Sequence, residues 1–291
     1  MPGLMRRIAR ALGVRRTNPL PRPAGGTRLV AAGDSKRPVQ RDAFALAAAC
    51  APDAALFVGD AAYAGTSDAR RRRMLHQWRR DWGALWDRLY AVAGNHDLDS
   101  PRGLELWREV VPARHPAPPY CDGLGFRLRL GPVLVLGLDT TSGLVDAMQR
   151  DWAAASLAET TAAHRIAVYH EPAFSLGLHR GRALDALPDE RDRLWTTLEA
   201  GGVSMVLNGH EHAYARIEIR RAKVIQQVIT GGAGGDLYGS PCPDYDVFLP
   251  EHHIVVLDAD DRRLVLRALD LSGDVIDEIE IEAKSATEVA T

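Results

Sequence analysis

The sequence predicts an α/β fold, on three observations. Short apolar runs alternate with helical patterns from residue 28 to residue 207. Runs such as Ala54–Val58 are apolar throughout, as strands buried on both faces are. Beyond residue 212 the alternation gives way to strand patterns alone. At 291 residues the chain is long enough for one large core or two modest ones.

Residues 1–26 stand apart. Met5–Gly13 reads as a short basic amphipathic helix, and Arg15, Arg16 and the prolines at 19, 21 and 23 as an extended linker. The basic start has no apolar h-region, so no secretory leader is expected and the chain is placed in the cytoplasm. A solvated arm is the expectation, with contact to anionic lipid as the alternative. Because the arm has nothing to add to a core, a chain beginning near Gly26 is expected to fold and turn over normally.

The fold then runs as one domain, 27–282. Arg28–Gly33 is a strand closed by Asp34, 37–50 an Ala-rich helix, and Ala54–Gly59 a strand closed by Asp60. A long helix is expected over 68–88, with Trp78, Trp82 and Trp86 as a core stripe. The run Arg70–Arg73 reads as a solvated face rather than a nucleic-acid site. Leu89–Gly94 is the third strand, followed by Asn95-His96-Asp97. A short helix near 103–110 leads to a Pro-rich loop, and 126–130 and 133–138 form a hairpin across Gly131-Pro132. A helix covers 146–162, Arg165–Tyr169 is a strand ended by His170, and a long loop reaches a helix at 188–200. Val203–Leu207 is a strand ended by Asn208-Gly-His-Glu-His212. Strands follow at 215–220, 224–230, 253–257, 262–269 and 275–282, with a loop over 236–251 and a frayed tail over 283–291. The glycine-rich 231–235 segment lacks the lysine and following helix of a phosphate-binding loop.

Composition excludes several classes. A net charge of −2 carries no whole-chain signal for nucleic acid or membrane, and no apolar run approaches a span. Three scattered cysteines make neither a disulfide framework nor a thiolate zinc site.

The chemistry lies at strand ends: Asp34, Asp60 with Tyr63, Asn95 with His96, His170, and His210 with His212. One aspartate at a strand end is ordinarily a helix cap; five such ends in succession are not. His210 and His212 are two apart, so in an extended segment both imidazoles can face one cluster. Histidine with carboxylate suits zinc, iron or manganese. Leaving His96 aside, seven donors exceed one tetrahedral ion and suit two, about 3.5–4 Å apart.

The five segments Gly33-Asp34-Ser35-Lys36, Gly59-Asp-Ala-Ala-Tyr63, Gly94-Asn-His-Asp97, Val168-Tyr-His170 and Gly209-His-Glu-His212 resemble the five blocks of the calcineurin-like metallophosphoesterase superfamily. Tyr63 in the second block, and no histidine two residues after Asp34, resemble its purple acid phosphatase branch. Lys36 departs from that branch, which has glycine there. The resemblance covers residues 28–282 and implies a four-layer α/β/β/α sandwich of two mixed sheets flanked by helices. It implies that Asp34, Tyr63 and His212 bind Fe(III), that Asn95, His170 and His210 bind a divalent iron, zinc or manganese, and that Asp60 bridges the two.

By the same resemblance the substrate is a small phosphoester, hydrolysed by a hydroxide formed at the metal pair. A phosphomonoester is expected. A phosphodiester on the same centre is the first alternative, and a metal-binding interaction module without catalysis the second. His96 follows a ligand on the same turn and is expected to reach a substrate oxygen, with Asp97 as its orienting partner. His179 resembles the second substrate histidine. Arg216 is read as structural.

Overall fold

Side chains alternate across a strand, and this chain buries both faces of its central strands. The computed structural model describes residues 20–22, 25–111, 124–141, 145–238 and 244–283. The first half runs β1 (Thr27–Ala32), α1 (Val39–Ala49), β2 (Ala54–Phe57), α2 (Asp68–Trp82), β3 (Leu89–Ala91), α3 (Asn95–Leu98) and α4 (Gly103–Val110). The hairpin β4 (Phe126–Leu130) and β5 (Val133–Gly137) comes next, then α5 (Ala147–Ala158), β6 (His164–Val168), α6 (Pro188–Ala200) and β7 (Met205–Asn208). The strand-only region is β8 (Tyr214–Arg220), β9 (Val224–Thr230), β10 (Val247–Leu249), β11 (His253–Ala259), β12 (Arg263–Asp270) and β13 (Val275–Glu282).

Two mixed sheets result. One is ordered β13-β12-β11-β1-β2-β3 and the other β10-β8-β9-β7-β6-β5-β4. Three apolar clusters separate four layers. Val30, Ala32, Ala55 and Phe57 face α1, α2 and α4 with Phe44, Trp78 and Trp107. The alternate residues Leu29, Ala31, Leu56 and Val58 meet Val135, Ile166, Val168 and Leu207 of the second sheet. The outer face of that sheet, with Leu134, Leu136 and Val206, packs on Leu157, Trp195 and Leu198 of α5 and α6. The α/β/β/α sandwich is therefore the fold.

Four local features differ from the sequence reading. The helix expected over 68–88 stops at Trp82, because Gly83 takes φ +54°, and a 3₁₀ turn, Gly83–Arg88, completes the span. All three tryptophans still enter the core. Within Arg70–Arg73, Arg71 is fully buried rather than solvated. Its guanidinium donates to the carbonyls of Gly65 and His96, at 2.9 and 2.8 Å, and pairs with Asp99. Helix α5 ends four residues before the expected boundary of 162, and the loop over 236–251 contains the short strand β10. As expected, Arg216 is structural: its Nε donates to Asp277 at 2.8 Å, and Tyr214 donates to the same carboxylate.

The boundary at residue 26 also needs correction. Residues 1–19, 23–24 and 284–291, including most of the arm and tail, lie outside the described residues. Leu20, however, is buried against the first cluster. The carbonyls of Leu20 and Pro21 accept from the buried Arg28 guanidinium, at 3.2 and 2.9 Å, and that guanidinium also forks onto Asp258. A buried arginine deprived of acceptors is costly, and burying one leucine contributes about 2 kcal/mol. A chain starting at Gly26 should therefore melt roughly 5 °C or more below the full chain. Equal melting temperatures would show that Leu20–Arg22 contribute nothing.

Candidate metal centre

The two sheets place the carboxyl ends of β1, β2, β3, β6 and β7 along one edge of the sandwich, where open α/β sheets receive ligands. Asp34, Asp60 and His210 all sit in the left-handed backbone region, at φ 55°, 61° and 73°. For residues with a Cβ this costs roughly 1–3 kcal/mol each. Backbone bonds between the loops hold them there: Asp34 N–H to Gly59 O and Ser35 N–H to Asp60 O, both 2.9 Å, and Gly209 N–H to His170 O at 3.1 Å. Gly59, at φ +101°, lies so close to the His170 ring that a Cβ would collide with it. The strand ends are thus folded onto one another by their backbones, and the side chains follow.

Those side chains fall into two trios. In the first, Tyr63 Oη is 2.9 Å from His212 Nε2 and 3.3 Å from Asp34 Oδ1, and His212 Nε2 is 3.5 Å from the same carboxylate. In the second, Asn95 Oδ1 is 3.1 Å from His170 Nε2 and 3.0 Å from His210 Nδ1. Asp60 links them: its Oδ2 is 3.4 Å from His170 Nε2, and ligand atoms of Asp34, Asp60 and His170 all lie within 4.8 Å of one another. His210 and His212 enter different trios of this group. Residue 210 lies in a turn.

The donor set fits cations. His170 Nδ1 is 2.8 Å from the carbonyl of Val58, and His212 Nδ1 is 3.0 Å from that of Asp236. Carbonyls only accept, so each Nδ1 carries the proton and each Nε2 turns a lone pair inward. The lone pair of His170 then faces the oxygens of Asn95 and Asp60. Lone pair against lone pair is repulsive unless a proton or cation stands between them. With no cation, a proton takes that place: although burial favours the neutral ring, Asp60 outweighs it and raises the His170 pKa. Burial and the positive His170 push His210 down to about 2, so its ring stays neutral, and its buried Nε2 has no partner among the described residues. Burial, Asp34 and Asp60 hold the Tyr63 phenol well above its ordinary value. Only a strong positive charge would turn that phenol into an anionic ligand.

His96 and His179 stand beside the trios. The His96 ring is 4.8 Å from the Tyr63 ring, and its backbone N–H donates to Asp60 Oδ1 at 2.9 Å. Its ring partner is Asp99, with Nδ1 to Oδ2 at 3.3 Å, and not Asp97. On the helical turn of α3, residue 99 returns to the side of residue 96, whereas Asp97 turns inward. The Asp97 carboxylate accepts the backbone N–H groups of Asp60, Ala61, Ala62 and Gly94, each at 2.9 Å. The His179 ring lies 4.3 Å from that of His210. Tyr238 was missed by sequence reasoning: it stacks on His212 at 4.8 Å and places its hydroxyl 3.4 Å from His179 Nε2. Nothing in its local sequence marks it. Lys36 pairs with Asp236 at 2.9 Å, which gives the cation an anionic partner at the rim.

Comparison with known proteins agrees with this geometry. A family model described as calcineurin-like phosphoesterase matches residues 33–214, a span that takes in both trios. No curated protein matches the sequence. A purple acid phosphatase from yellow lupin (Lupinus luteus) seeds superposes with a TM-score of 0.74 at 16% identity, over 95% of this chain and 56% of that one. The chain thus spans little more than half of that protein's length. GAP50, the anchor in the inner membrane complex of Plasmodium, superposes at 0.63 with 14% identity, covering 89% and 90% of the two chains. PhoD superposes at 0.62 with 13% identity, covering 92% and 70%. Among the described residues, no helix is long and apolar enough to cross a membrane.

Proposed function

The chain belongs to the calcineurin-like phosphoesterase family, and on that premise we propose that it is a phosphomonoesterase of the purple acid phosphatase type. Residues 27–282, with Leu20–Arg22 docked on them, form its catalytic unit. The observation that carries the reading is the pair of donor trios on either side of Asp60.

Asp34, Tyr63 and His212 would hold a ferric ion, Asn95, His170 and His210 a divalent iron, zinc or manganese, and Asp60 both. When bound, the pair would supply positive charge to phosphoryl oxygens and acidify the attacking water. The chain's own residues do the rest. Asp99 accepts from His96 Nδ1–H, and when the ring also carries a proton on its other nitrogen, that N–H donates to a substrate oxygen or the departing alkoxide. His179, beside His210, faces the substrate from the opposite trio.

His96→Ala tests the assignment. Asn95 already supplies the donor on that turn, so both metals should remain while kcat falls roughly 10²-fold or more. Loss of metal would make His96 a ligand instead. A preference for bis-p-nitrophenyl phosphate over p-nitrophenyl phosphate would make the enzyme a phosphodiesterase. Absence of turnover on both would favour an interaction module.

A further inference from the structure

We infer that Glu211, the residue between the two site histidines of the last block, is a positioning residue for His179; this rests on the reading of His179 as a substrate-facing group. Glu211 is buried, 1% exposed. A buried carboxylate needs donors on its lone pairs, and here they all come from one loop. Oε1 accepts from Ser175 Oγ at 2.5 Å and from the His179 N–H at 3.0 Å. Oε2 accepts from the Leu178 N–H at 3.1 Å and lies 3.8 Å from His179 Nδ1. The loop passes so close that a Cβ on Gly177 would lie 2.8 Å from Oε2. Charge-assisted bonds to two successive amides fix the backbone of residue 179. The carboxylate springs from the same turn that carries His210 and His212. The distance between His179 and the rest of the site is therefore set by one side chain, not by the course of the long loop after β6.

Gln in place of Glu211 keeps the shape but turns an NH₂ toward N–H and O–H donors, so the clamp opens. Glu211→Gln should lower kcat about tenfold with little change in KM, and leave metal content unaltered. In a His179→Ala background the same substitution should cost almost nothing further, because the two act as one unit. Hydrogen exchange at the Leu178 and His179 amides should accelerate in Glu211→Gln. If Glu211→Gln does not fold, Ser175→Ala removes one donor only, and its smaller loss should also vanish without His179. Full multiplication of the two losses, or unchanged amide exchange, would overturn the inference. A wild-type protein without turnover would instead defeat the phosphatase reading, and the exchange measurement would still test the clamp.

Discussion

Asp97→Ala should destabilise the protein by at least about 4 kcal/mol, because it strips the acceptor from four buried N–H groups at once. Those amides belong to the Asp60 loop and to Gly94, next to Asn95. The carboxylate is therefore the tie between the bridging position and the second trio. Burial and the nearby Asp60 push the Asp97 carboxyl upward, and the amides of Gly94 and Ala62 draw it back. A fall of about 10 °C or more in melting temperature is expected, together with loss of metal from purified protein. Asp97→Asn keeps one acceptor oxygen and should fall between the two. A melting temperature for Asp97→Ala within a degree or two of the parent would show that water replaces the carboxylate without cost.

Tyr63→Phe should abolish the visible colour of ferric protein. The phenol oxygen meets both other members of its trio, and Lys36, the residue at the first block's histidine position, is engaged with Asp236. If a ferric ion sits there, phenolate-to-iron charge transfer colours the aerobically purified protein. Phenylalanine keeps the ring and its contact with His96, so packing changes little. Iron should be retained more weakly than the divalent ion. A colourless ferric protein, or a spectrum unchanged by the substitution, would exclude Tyr63 as a ligand and point to a dimanganese or dizinc centre.

Much of this was legible in the sequence, for a physical reason. Strands apolar on both faces can carry polar chemistry only where they end. Asp34, Asp60, Asn95, His170, His210 and His212 therefore stood out as terminators of apolar runs, and the sandwich brings those ends to one edge. What escaped depended on contacts between distant segments. The partners of Asp97 lie 35–37 residues away on another strand's loop, apart from Gly94. Asp99, not its neighbour, meets His96, because a turn of helix decides which carboxylate returns. By sequence Arg71 is one more solvated arginine, whereas the fold surrounds it with Gly65, His96 and Asp99. His210 and His212 enter different trios because the chain leaves extended geometry at residue 210.

The proposed phosphomonoesterase needs two ions, which the two trios sharing Asp60 would hold. Stripped protein reloaded stepwise with ferric and divalent ions, and assayed on p-nitrophenyl phosphate at each step, tests it most directly. Turnover should appear only as the second equivalent is bound and saturate at two ions per chain. Full activity at one equivalent, or none at two, would contradict it.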